Sequence, residues 1–203
     1  MDIGIIGAGN IGSSLARLFA QAGYPVMISN SRGPETLQDL VAELGRGVQA
    51  GSVEDAAHFG EVVIEAIPFK HVRSLPVGAL TGKILVTAAN YYPNRDGQID
   101  LNGKTHSELV AQVVSEARVV KAFNTIYYVH LQTQGDTSKP LAERRAIFMA
   151  GDDTDAKTVV RGLIQTIGFG AVDTGSLANS AVQQPGAAIY NQDLTVGEVQ
   201  QQF

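Results

Sequence analysis

Short apolar blocks alternate with stretches of helical period along most of the chain. Residues 2–6 form the first block, and Ile11, Leu15, Leu18 and Phe19 then recur at helical spacing until Gly23. That pairing predicts a strand followed by a helix that a glycine terminates. The strand signature returns at 24–29, 48–50, 61–67, 83–88, 118–122, 146–150 and 171–173. Between these blocks lie helix signals. Pro34 opens one containing Leu37, Leu40 and Val41, and Ser52 caps another with Glu54 and Asp55 in its first turn. Residues 107–115 carry Leu109, Val110 and Val113 on one face, and 154–167 carry Val159, Leu163 and Ile167. Polar loops are expected at 91–103 and 132–139, with a mixed tail from 177. Strands alternating with helices predict a doubly wound α/β fold around a mainly parallel sheet.

Composition sharpens this pattern. Charged residues are 17% of the 203, against a typical ~25%. A sheet covered on both faces needs few charges. Glycine reaches 22 residues, which suggests tight turns and close backbone approach to a ligand. Cysteine is absent, which removes disulfides, thiolate catalysis and cysteine-ligated metal or iron–sulfur centres. Glu65 interrupts the most apolar stretch, so no membrane span is expected. The start of the sequence has no basic segment of the secretory type, and a cytoplasmic location is expected. The 15 basic residues are scattered, so nucleic acid is not an expected partner.

Gly7-Ala8-Gly9-Asn10-Ile11-Gly12 follows the first strand directly and opens the first helix. In that context G-x-G-x-x-G signals a dinucleotide. Gly7 permits the tight turn, Gly9 the approach of backbone to pyrophosphate, and Gly12 close helix–strand packing. The helix N-terminus supplies unpaired N–H groups to the anion. About 20 residues on, NAD sites place a carboxylate on the ribose hydroxyls. Here that place holds Asn30-Ser31-Arg32, and no carboxylate appears before Glu35. A hydroxyl and a guanidinium there suit the 2′-phosphate of NADP(H).

Ligands of such sheets sit beyond the C-terminal strand ends. Those ends are Ala66-Ile67-Pro68, Ala89-Asn90-Tyr91 and Phe123-Asn124-Thr125. Ile67 and Pro68 are expected to wall the cofactor. Asn90 and Asn124 either hold its ribose or carboxamide groups or satisfy local turns. The histidines His58, His71, His106 and His130 lie far apart, without an i, i+4 metal pair. His71 reads as a surface histidine near the site. Tyr91-Tyr92 and Tyr127-Tyr128 read as packing or edge residues. The alternation of Lys121 with Val120 predicts an outward or sheet-end lysine without a catalytic part. No catalytic side chain and no metal site are expected.

G-I-I-G-A-G-N-I-G, I-S-N-S-R-G-P-E-T-L, V-V-K-A-F-N-T, M-A-G-D-D and I-G-F together resemble one family. It is the NADPH-dependent deazaflavin (coenzyme F-420) reductases, and the oxidoreductase domain of STEAP metalloreductases is similar. The resemblance implies a Rossmann NADP-binding domain at 1–137. It implies a small C-terminal part at 138–203 that extends the sheet and caps the site. It also implies hydride transfer between nicotinamide and a flavin or deazaflavin, a small-molecule electron acceptor, in a homodimer. Gly7, Gly9, Asn10, Ile11 and Gly12 match the pyrophosphate binders, and Ser31 and Arg32 the 2′-phosphate binders. Ile67, Pro68, Ala89, Asn90 and Asn124 match strand ends that line the cofactor. Such a reaction aligns two rings and needs no dedicated acid. The alternatives are a non-catalytic NADPH-binding, redox-sensing module, and a carbonyl or imine reductase. The roughly 65 residues after Lys139 show only one clear long helix, where the second alternative expects a helical dimerisation domain, and so disfavour it.

Overall fold

A computed structural model describes residues 1–202. Eight strands form one sheet: β1 (Ile3–Ile6), β2 (Val26–Ser29), β3 (Val48–Gly51), β4 (Val62–Glu65), β5 (Ile84–Thr87), β6 (Arg118–Ala122), β7 (Ala146–Gly151) and β8 (Gly170–Asp173). Their order is β3-β2-β1-β4-β5-β6-β7-β8. Every neighbouring pair is parallel except β6 with β7. The expected doubly wound, mainly parallel α/β sheet is therefore present, and residues 138–203 contribute β7 and β8 to it. The order reverses at β1, so the crevice outside β1 and β4 is a topological switch point.

The helices are α1 (Asn10–Gln21), α2 (Gln38–Leu44), α3 (Val53–Phe59), α4 (Val77–Leu80), α5 (Pro93–Asp96), α6 (His106–Val113), α7 (Tyr128–Thr133), α8 (Thr154–Thr166) and α9 (Val196–Gln202). One apolar layer joins Leu15 and Phe19 of α1, Val160 and Leu163 of α8, and Ile3, Ile5, Ile64 and Val86 of the sheet. The other joins Val63, Leu85 and Val119 to Ala57 of α3, Leu80 of α4, and Leu109 and Val110 of α6. Both faces are covered, and that accounts for the low charge content. No helix among the described residues is long and apolar enough to cross a membrane.

Several elements depart from the sequence pattern. Residues 69–82, which carry no predicted element, form a 3-10 turn (Phe69–Ser74) and α4. Their apolar residues, Phe69, Val72, Leu75 and Leu80, are spaced too irregularly for one helix, yet all are buried. The loop expected at 91–103 contains α5, and that expected at 132–139 begins inside α7. Lys121 corrects the outward half of its expectation, while its place one residue before the end of β6 agrees with the sheet-end half. It lies inside the sheet at 1% exposure instead of pointing outward. It follows the parity of buried Val119, so alternation placed it on a face that helix α6 and the segments around it cover.

Candidate functional site

The strand ends meet the glycine loop at a crevice of two connected cavities. Each has a volume of about 470 Å³, and they share Gly9, Ala66, Ile67 and Pro68. The first half is bordered by Gly7, Ala8, Asn30, Ser31, Val53 and Glu54. The second half is bordered by Asn10, Ile11, Ala89, Asn90, Phe123 and Asn124.

The geometry of the glycine loop follows from residues that lack a Cβ. Gly7 has φ +114°, which only glycine adopts without strain. A Cβ on Gly12 would lie far inside van der Waals contact with the Gly7 carbonyl oxygen. Hence Gly12 packs α1 against the turn, and it is buried rather than crevice-lining. A Cβ on Gly9 would meet nothing within 4 Å, so the protein itself sets no requirement for glycine there. Gly9 is also the N-cap of α1, with no side-chain cap. By contrast Ser52, Thr105 and Asp153 cap α3, α6 and α8 through their own side chains. The first N–H groups of α1 thus open toward the crevice, where an anion would satisfy them. These features fit a dinucleotide pyrophosphate.

At the end of β2 the Asn30 side chain is engaged locally. Its Oδ1 accepts from the Arg32 N–H at 2.8 Å, and its Nδ2 donates to Thr36 Oγ1 at 2.9 Å. Asn30 therefore shapes the loop. Ser31 lines the crevice, and Arg32 is exposed beside it without an ion pair among the described residues. His71 stands on the 3-10 turn at the rim of the same half.

The two strand-end asparagines lie together. Asn90 Nδ2 donates to the Asn124 carbonyl at 2.8 Å, and Asn124 Nδ2 lies 3.1 Å from Asn90 Oδ1. Asn124 Nδ2 also donates to the Gln183 carbonyl at 2.7 Å, which draws the tail over β6. The buried Oδ1 of Asn124 has no hydrogen-bond partner among the described residues. It is an acceptor that a bound ligand would satisfy. Phe123 precedes it at φ +61°, an uncommon conformation for a bulky residue. The strained turn swings Asn124 toward the crevice.

Sequence reasoning missed an aromatic wall. Tyr92, Tyr127, Tyr128 and Tyr190 border the second half with Arg95. The hydroxyls of Tyr92 and Tyr190 are hydrogen-bonded, and the Arg95 guanidinium lies 4.9 Å from the centre of the Tyr92 ring. Burial holds the Tyr190 phenol above its usual range. Tyr91, next to this wall, is a packing residue, as its pairing suggested. The tyrosine pairs were the available signal. Their split between core and crevice needed the turn geometry after β5. Tyr190 stands far down the tail and carried no signal.

A buried polar layer underlies the strand ends. His106 packs against Phe69 and Tyr91, with ring centres 5.4 Å and 5.6 Å away. Burial, and then the charge of Lys121, lower its pKa to about 4. The unfolded chain therefore binds a proton between about pH 6.5 and 4 that the native state refuses, and stability falls as pH falls through that window. The full shift corresponds to about 3 kcal/mol. Replacing His106 with Gln should flatten this slope, as measured by denaturant unfolding at pH 7 and pH 5. An unchanged slope would contradict the assignment. Among the described residues, no group of three or more His, Asp or Glu side chains is placed to hold a metal.

The sequence model of the family described as "NADP oxidoreductase coenzyme F420-dependent" matches residues 2–91. A hypothetical protein from Sinorhizobium meliloti has a similar structure, with TM-score 0.86 and 36% identity over 96% of this chain and 95% of that one. An Arthrobacter protein assigned as an F420-dependent NADP reductase has TM-score 0.73 and 25% identity, covering 89% of this chain and 87% of its own. Residues 2–91 thus carry the sequence pattern of the coenzyme F420-dependent NADP oxidoreductase family. This is a family of NADP-dependent oxidoreductases. The rat metalloreductase STEAP3 is 32% identical over 180 residues, 88% of this chain. The match covers 34% of that relative, so the chain spans about a third of its length. The family's matched region runs from β1 through β5, and so contains the glycine loop and two of the three strand ends.

Proposed function

We propose that the chain is an NADPH-dependent reductase whose acceptor is a flat ring of the flavin or deazaflavin type. By family likeness, the proposal includes a homodimer. The carrying observation is the continuous crevice from the uncapped N-terminus of α1 to an aromatic-walled pocket, with a carboxylate-free β2 end beside it. In this reading Gly7, Ala8, Gly9, Asn10 and Ile11 receive the pyrophosphate while Gly12 packs α1 against their turn, and Ser31 and Arg32 receive the 2′-phosphate. Asn30 holds their loop. Ala66, Ile67, Pro68, Ala89, Asn90 and Asn124 wall the nicotinamide half. When bound, the nicotinamide supplies the hydride. The tyrosine wall excludes water and offers ring faces against which a flat acceptor stacks. Residues 1–137 form the binding body in this proposal, and 138–203 bring the tail that caps it.

Arg32→Ala should weaken NADPH binding by about 10- to 100-fold, as expected for loss of a charge-assisted contact. NADH affinity should change less than threefold. Fluorescence titration of both cofactors measures this, and equal losses would refute the 2′-phosphate assignment. NADPH oxidation should then be assayed with FMN, FAD, a deazaflavin and a quinone. Tight NADPH binding without turnover on any of them would favour the redox-sensing module over a reductase.

A further inference from the structure

Glu65, Thr87 and Lys121 stand in register on β4, β5 and β6, one strand apart. They are 0%, 0% and 1% exposed, within an apolar layer of Val63, Leu85 and Val119. The destinations of their polar atoms explain the arrangement. Glu65 accepts from Thr87 Oγ1 at 2.7 Å and from the Ile67 N–H at 3.2 Å. Lys121 Nζ donates to the Ala89 carbonyl. Ile67 and Ala89 belong to the two neighbouring strand ends of the crevice wall.

A trans peptide sets its C=O and N–H on opposite edges, and the described chain has no cis bond. Turning the Ile67 N–H toward Glu65 turns the Ala66 C=O away from it. Turning the Ala89 C=O toward Lys121 turns the Asn90 N–H away from it. Ala66 and Asn90 both line the crevice. Among the described residues, neither of these outward groups takes a backbone partner. Hydrogen bonds from one edge of a peptide to an ionisable group also polarise the other edge.

We infer that Glu65, Thr87 and Lys121 form a positioning unit that presents the Ala66 carbonyl as an acceptor and the Asn90 N–H as a donor to a primary carboxamide in the crevice. A nicotinamide carries that group. The inference rests on the proposed dinucleotide site. It assigns the buried row to reading the reactive half of the cofactor, separately from the phosphate contacts.

The test needs no turnover. The full chain is titrated by calorimetry with NADP+, with its 3-acetylpyridine analogue, and with 2′,5′-ADP. The analogue replaces the amide NH2 by a methyl group, and 2′,5′-ADP contains only the adenosine end. Wild type should prefer NADP+ over the analogue by about tenfold, the worth of one hydrogen bond. In Glu65→Gln that preference should shrink to about twofold, because the Ala66 acceptor is lost to the NH2. In Lys121→Met both NADP+ and the analogue, which share the carbonyl that the Asn90 N–H meets, should weaken by about tenfold. Affinity for 2′,5′-ADP should be unchanged in both. Thr87→Val removes one hydroxyl at near-equal volume, and should give a smaller loss of the same kind if the charge variants do not fold. Wild-type discrimination retained in folded Glu65→Gln, or wild-type affinity for NADP+ retained in folded Lys121→Met, would overturn the inference. So would 2′,5′-ADP affinity falling in step with NADP+, because that marks a general structural role. A wild type that binds neither NADP+ nor 2′,5′-ADP would overturn the dinucleotide site itself, a result visible before any variant is made.

Discussion

Replacing Gly12 with alanine should lower NADPH affinity by about 100-fold and destabilise the fold by about 1–3 kcal/mol. The cause is backbone against backbone. The new Cβ would fall deep inside contact with the Gly7 carbonyl, and Ile5 Cγ2 would lie only 3.4 Å away. No flexible side-chain end can yield, so α1 must lift off the turn. The N–H groups of Asn10, Ile11 and Gly12 then leave their positions, and losing two charge-assisted hydrogen bonds of about 1.5 kcal/mol each gives the 100-fold factor. Gly9→Ala is the contrasting variant. Its Cβ meets nothing, and its backbone, at φ −79° and ψ −171°, suits any residue. Its melting temperature should stay near that of wild type, while NADPH affinity drops about tenfold because only the ligand approaches that position. The pair separates packing from binding. An NADPH dissociation constant for Gly12→Ala within threefold of wild type would contradict the role given to the loop, as would a Gly9→Ala variant that binds normally.

The same comparison shows which parts of the site could be read from the chain. Glycines announce themselves because turn, approach and packing each forbid a Cβ, and spacing along one strand–helix unit is local. The strand ends were legible for the same reason: each closes an apolar run, and parallel strands deliver their ends to one side. Local pattern gives less about contacts between distant segments. At Asn90 and Asn124 the local pattern fits both ligand binding and turn formation. The structure pairs them with each other and ties them to Gln183, an arrangement that joins positions far apart in sequence. Tyr190 enters the crevice through the same tail. The 3-10 turn at Phe69–Ser74 escaped because it is too short to show a helical period, although its buried Phe69 and Val72 anchor the layer beneath the crevice.

Lys121 shows why alternation misleads within a sheet covered on both faces. Alternation separates core from solvent only when one face is wet, and here both parities are buried. A lysine in such a strand must either sit at an end or find a partner. Lys121 finds the Ala89 carbonyl and the field of Glu65, with Thr87 between the two charges. Glu65, which the sequence pattern used only to exclude a membrane span, is the other half of that solution.

Removing this lysine should be among the most destabilising single changes on the sheet. Lys121→Met is expected to cost about 3–5 kcal/mol, because it leaves a buried carboxylate without its compensating charge. Glu65→Gln/Lys121→Met should cost clearly less than the two single changes added together, with a coupling of about 1 kcal/mol or more. The pH dependence gives a second, independent sign. Burial raises the Glu65 pKa above 4.5, while Thr87 and then Lys121 oppose the rise. A raised carboxyl binds its proton in the native state before the unfolded state does. Its contribution is therefore present at low pH and lost as pH rises through the folded value. Without Lys121 the pKa climbs further, and the loss near neutral pH deepens. Acidification from pH 7 toward pH 5 should then partly restore the Lys121→Met variant. His106 works against wild type over the same range, but in the variant it is also freed from the lysine's charge, which otherwise lowers its pKa. Both changes push the variant's optimum toward acid. Urea unfolding of wild type, both single variants and the double variant at pH 5 and 7 measures this directly. Additive losses with parallel pH profiles would show that the two charges do not act on each other.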